Sequence, residues 1–84
     1  MNQPGTKERD EVHRLTLAWA TEILREPEIS LSDNFIELGG HSILALRMCG
    51  NAKERFGAEY DLMLLFEHDL GTAADDLANR VAGG

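Results

Sequence analysis

The sequence predicts a small all-α bundle, with three substantial helices, one or two short ones and a long first loop. Three observations predict it. Apolar residues recur three and four apart in separate segments, the period of a helix with one buried face. The one alternating run, Glu28 to Ser32, is short for a strand and has no second run to pair with. The length of 84 residues allows one small core, and 43% hydrophobic with 27% charged residues is the composition of a folded globular chain.

Met1 to Thr6, with Pro4 and Gly5, carry no pattern and read as a flexible leader; the folded unit is expected over residues 7–82, with Gly83 and Gly84 as a flexible tail. From Lys7 the period is helical. Val12, Leu15, Trp19 and Ile23 form one stripe with Leu24 beside it, and Lys7, Glu8, Arg9, Asp10, Glu11, Arg14 and Glu22 fall largely opposite. At that spacing Trp19 reads as core rather than as a binding platform. The helix should stop before Pro27. Glu26 to Asn34 is then a loop whose Ile29 and Leu31 plug onto the bundle, and Ser32-Asp33-Asn34 caps one short turn that ends near Leu38, with Phe35 and Leu38 facing inward.

A second helix is expected from Ser42 to Phe56. Leu44, Ala45, Met48, Cys49, Ala52 and Phe56 make its inward stripe, and Gly57 is its C-cap. Ser42 falls at the N-cap, where a side-chain oxygen meets free N–H groups. Gly50, inside the helix, costs about 1 kcal/mol relative to alanine, which close helix packing would explain. Ile43 and Leu46 lie off the stripe and are candidate docking residues. Leu62 to Phe66 is a dense apolar run, one or two helical turns long, from which Met63 and Leu64 are candidates for exposure near Ser42. Gly71 breaks the chain, Thr72 with Asp75 resembles a capping box, and Ala73, Ala74, Leu77, Ala78 and Val81 give the last helix.

The totals exclude several functions. A net charge of -7 opposes nucleic-acid binding, which rests on Lys and Arg against phosphates. No apolar run reaches the length of a membrane span, and no basic segment precedes a hydrophobic one in the manner of a signal peptide. The single cysteine, Cys49, allows no internal disulfide and suits a reducing cytoplasm. His13, His41 and His68 have no metal-ligand spacing.

The stretch Asp33 to Leu44 concentrates the functional signal. A serine nucleophile is a poor reading of it: His41 and Ser42 are chain neighbours at a helix start and point in different directions, the second glycine of a nucleophile elbow is missing, and the chain is too short for a hydrolase sheet. Two readings stay open on physical grounds. Ser42 is a simple cap, or it is a covalent attachment site. A negative group on it would sit against the free N–H groups of the helix start, Gly39 and Gly40 would leave an approaching enzyme room, and Ile43 and Leu46 would supply the docking surface.

Asp33-Asn34-Phe35-Ile36-Glu37-Leu38-Gly39-Gly40-His41-Ser42-Ile43, continued by Leu44-Ala45-Leu46-Arg47, closely resembles the core motif of peptidyl carrier proteins, the thiolation domains of nonribosomal peptide synthetases. The likeness extends more faintly from Asp10 to Val81, through Trp19, Leu24 and Leu65-Phe66-Glu67-His68. It implies a four-helix bundle with a short third helix, and a monomeric carrier domain over residues 7–82 that is not an enzyme. It implies that a phosphopantetheinyl transferase moves a 4′-phosphopantetheine arm from coenzyme A to Ser42, and that the arm holds aminoacyl or peptidyl groups as thioesters. An adenylation partner would load it, and condensation, tailoring or thioesterase enzymes would use it, meeting Ile43, Leu46, Met63 and Leu64. Asp33, Phe35, Leu38, Gly39, Gly40 and His41 are the motif loop. Two departures stand out. Ile36 occupies a position that is often aromatic, and Asp69-Leu70-Gly71-Thr72 replaces a Pro-Thr pair before the last helix. An acyl carrier of polyketide or fatty-acid type, which more often has aspartate at the position of His41, is the alternative within the class; an unmodified acidic helical interaction module is the alternative outside it.

Overall fold

The computed structural model describes residues 6–83. Four helices account for the periodic segments: α1 (Thr6–Leu24), α2 (Ser42–Phe56), α3 (Leu62–Glu67) and α4 (Leu70–Gly83). The expected leader lies outside the described residues except for Thr6, which opens α1, and of the expected tail only Gly83 is described, as the end of α4. No strand forms among the described residues. Among the described residues one isolated bridge, Asn34 to Asp69, joins the first loop to the start of α4.

α1 ends where expected, with Arg25 in the left-handed region (φ 57°) just before Pro27. Its buried centre is Val12, Thr16 and Ala20, one residue round from the predicted stripe, and Trp19, Ile23 and Leu24 flank it partly buried. The shift follows from α4, which packs on α1 with the small buried residues Ala73, Ala74 and Ala78 around Leu77. Close approach favours small side chains at the contact line and puts the indole at its margin. There Trp19 meets Phe56 and Tyr60 edge-on, with ring centroids 6.2 and 6.5 Å away.

Thr16 is fully buried, and its hydroxyl is satisfied by the Tyr60 hydroxyl at 2.7 Å. Burial drives the Tyr60 phenol far above its ordinary range, against the opposing effect of the Thr16 hydrogen bond. At the rim of the α1–α4 contact, Arg9 and His13 both reach Asp75 Oδ1, at 3.1 and 2.5 Å. Burial pushes the Asp75 carboxyl up, but these hydrogen bonds outweigh it and hold the group below the usual carboxylate range.

α2 buries Ala45, Met48, Cys49 and Ala52, with Leu44 and Phe56 partly covered, as its period predicts. Gly57 (φ 77°) closes it by donating to Lys53 O. Gly50 is corrected: a Cβ there would meet nothing within 4 Å, so close packing does not explain it. The Cys49 thiol is raised by burial first, then by the charge of Glu59. That disfavours the thiolate, the reactive form.

α4 also starts earlier than expected. Asp69, not Thr72, caps it: Asp69 Oδ1 accepts from Thr72 N–H at 2.8 Å. Gly71 lies within the first turn instead of breaking the chain, and its lack of a side chain serves an approach to Leu31. A Cβ would stand 3.2 Å from Leu31 O, while Gly71 N–H donates to that same oxygen at 2.8 Å. The departure at residues 69–72 is therefore a self-capped first turn of α4.

Candidate functional site

The segment before α2 is built from one tightly capped turn. Asn34 Oδ1 accepts from Glu37 N–H at 3.0 Å and caps its start. Leu38 N–H returns to Asn34 O at 3.1 Å. At its end Gly40 N–H donates to Phe35 O and Gly39 N–H to Ile36 O, the paired bonds of a Schellman stop, with Gly39 in the left-handed region at φ 103°. Phe35 is fully buried beneath this turn, and Leu38 is partly buried against the core. Asp33 holds the approach: its carboxylate accepts from Ser30 N–H and its carbonyl from Leu70 N–H, both at 2.9 Å.

The two glycines thus have different reasons. Gly39 supplies a backbone angle that other residues rarely adopt. Gly40 is buried, and a Cβ there would collide with the Phe35 ring and stand 2.7 Å from Phe35 O. Its missing side chain makes room for Phe35 rather than for an approaching enzyme, which corrects the expectation for that residue.

The helix start is corrected too. The N-cap is His41, with extended backbone (φ -144°, ψ -179°), and its carbonyl accepts the first helical bond from Ala45 N–H at 2.8 Å. Ser42 is the first helical residue. It sits one position too late to cap, because the Schellman stop fixes Gly39 and Gly40 and leaves His41 as the extended link into α2. The His41 side chain makes no capping hydrogen bond. Ser42 is consequently exposed beside a first turn whose N–H groups have no side-chain partner, where the partial positive charge of the helix is concentrated. A phosphodiester at this hydroxyl matches that donor set, so the site fits such a group.

Ile43 is 67% exposed and Leu46 58%, on one face of α2, and Met63 on α3 is 61% exposed. Leu64 is partly buried against the core, and Asp61 caps α3 by accepting from Met63 and Leu64 N–H. Ile36, at 41%, is exposed as well and was not among the expected docking residues. Its signal was the Phe35-Ile36 pair, since a single turn can bury only one of two adjacent side chains. The three histidines stay apart: His13 on α1 bonds Asp75, and His41 and His68 are exposed at the ends of α2 and α3. Among the described residues no group of three potential metal ligands is formed.

A family model described as "phosphopantetheine attachment site" matches residues 13–74. The chain belongs to this family. Its covalent cofactor is 4′-phosphopantetheine. Similar proteins include the phosphinothricin tripeptide synthetase PhsB of Streptomyces viridochromogenes, 45% identical over 77% of this chain and 5% of the synthetase. Malpibaldin synthetase of Mortierella alpina is 41% identical over 79% of the chain and 1% of its own length. Surfactin synthase subunit 1 of Bacillus subtilis is 32% identical over 89% of the chain and 2% of its own length. The chain thus spans only a few per cent of these relatives. No solved structure matches it. For a member of the phosphopantetheine attachment family, the exposed hydroxyl at the start of α2 is the natural candidate site, and among the described residues no helix is long and apolar enough to cross a membrane.

Proposed function

We propose that this chain is a peptidyl carrier, or thiolation, domain of nonribosomal peptide biosynthesis, with Ser42 as the attachment point of its 4′-phosphopantetheine arm. The observation that carries the reading is the placement of Ser42: an exposed hydroxyl on the first residue of α2, beside uncapped N–H groups, at the end of a rigid turn. The family match and the peptide synthetases among its relatives support it. In this reading the N–H groups of the first turn of α2 stabilise the phosphodiester charge. When bound, the arm supplies a terminal thiol that holds an aminoacyl or peptidyl group as a thioester. The domain performs no catalysis of its own and acts in the cytoplasm as substrate of a phosphopantetheinyl transferase, of a loading adenylation enzyme and of condensation, tailoring or thioesterase partners. Ile43 and Leu46 on α2 and Met63 on α3 are the apolar side chains those partners would cover. The position of Ser42 as the first helical residue, with His41 at the cap, supports this reading over Ser42 as a simple cap.

The test is direct. With a promiscuous phosphopantetheinyl transferase, Mg²⁺ and coenzyme A, intact mass should show a single phosphopantetheine adduct that Ser42→Ala abolishes. A folded protein that stays unmodified would refute the assignment. Loading of the modified protein by an adenylation enzyme, and not by a malonyl transferase, distinguishes the peptidyl from the acyl class.

A further inference from the structure

Asn34 is the joint of this molecule. Its Oδ1 caps the turn that leads to α2, at 3.0 Å from Glu37 N. Its Nδ2 donates to Phe66 O at 3.2 Å and to His68 O at 2.8 Å, at the C-terminal end of α3. The amide orientation is fixed by its partners: a flipped amide would set an oxygen against two carbonyls and a donor against a donor. Three of its four hydrogen-bonding positions are therefore used, one toward α2 and two toward α3. The backbone just before Asn34 continues the strap, through Asp33 O with Leu70 N–H and Leu31 O with Gly71 N–H. Those backbone bonds tie the loop to α4. Asn34 is the side chain that ties it to α3.

The consequence concerns recognition. Ile43 and Leu46 stand on α2 and Met63 on α3, and the strap joins the turn preceding one helix to the end of the other. We propose that Asn34 is a positioning residue that holds α2 and α3 in one arrangement, so that an enzyme modifying the chain meets both helices already in register. The proposal rests on the reading of Ser42 as the modified residue. A side chain that pre-orders two docking elements lowers the ordering cost of association, so its loss is expressed in apparent affinity more than in turnover.

Asn34→Ser separates the two halves of the joint, because serine keeps a capping oxygen for Glu37 N–H and lacks the donors toward Phe66 and His68. Thr16→Val is the comparator: it strands the buried Tyr60 hydroxyl and destabilises the fold far from Ser42. Unfolding temperatures are recorded for all variants, and phosphopantetheinylation is followed by intact mass at a temperature where each is folded. Asn34→Ser should raise the transferase's KM for the carrier about fivefold with kcat within about twofold, while Thr16→Val keeps the wild-type KM. An unchanged KM in Asn34→Ser overturns the proposal, and so does an equal rise in Thr16→Val. Failure of the wild-type chain to be modified defeats the Ser42 assignment itself, and this inference with it.

Discussion

Gly40 is folded against Phe35 so closely that its N–H donates to Phe35 O at 2.9 Å and its α-carbon has no room for a methyl group above the ring. Phe35 is fully buried, and the contact sets both the end of the turn and the direction in which the chain enters α2. Gly40→Ala should therefore act on the core and the site together. We expect a loss of about 1–3 kcal/mol, the range for forcing an extra group into a well-packed core, read by denaturant unfolding. Slower modification of Ser42 should accompany it. Wild-type stability in this variant would mean that Phe35 moves aside freely.

That pairing also shows what was legible in the sequence. The inward face of α2 could be read because a period of 3.6 over fifteen residues leaves one choice of buried side. The glycine pair could be read as permissive backbone, but not which glycine served the backbone angle and which the packing, since that depends on Phe35 lying beneath them. The cap was misplaced by one residue for the same reason: the Schellman bonds run five and three residues back, and only their register makes His41 the cap. Tyr60 passed unnoticed as a lone aromatic in a polar loop. Its buried bond to Thr16 spans 44 residues, and nothing local announces it.

Gly50 has the opposite character. It lies inside α2 with open space where a Cβ would be and an ordinary helical backbone, so no contact compensates its conformational freedom. Gly50→Ala should stabilise the domain by roughly 0.5–1 kcal/mol, seen as a higher midpoint of urea unfolding at unchanged slope. Because the site loop is untouched, modification of Ser42 should proceed at the wild-type rate. A destabilised variant would show that the helix needs flexibility at this position.

Asp69 gives the start of α4 a defined acid sensitivity. Its carboxyl is held below the ordinary range first by the Thr72 backbone N–H and then by the Thr72 side chain. The folded pKa is thus lower than that of the unfolded chain, about 3.9 for aspartate. The charge-dependent stabilisation is complete above that value and is lost as pH falls through the lower folded pKa. Asp69→Asn keeps a capping oxygen but no charge. The stability advantage of wild type over this variant should be constant at pH values well above the unfolded pKa and diminish as the pH falls through the lower folded pKa. Thermal unfolding across that interval provides the check, and an advantage that persists in acid would contradict the assignment.

Ile43→Asp tests the surface that the proposed carrier function requires. Ile43 is 67% exposed and stands outside the buried set of α2, so the fold gains nothing large from its side chain. Its position in the first turn even favours a carboxylate, through the free N–H groups and partial positive charge there. The unfolding temperature should accordingly stay within a few degrees of wild type or rise slightly. Recognition should suffer instead, because a partner that covers Ile43 with apolar groups would have to desolvate a charge. We expect the apparent affinity for the transferase or adenylation partner to fall at least about tenfold, corresponding to roughly 1.4 kcal/mol, with the fold intact by circular dichroism. A variant that is modified and loaded like wild type would remove Ile43 from the docking surface. A variant that unfolds would show that the α2 face carrying it is part of the core.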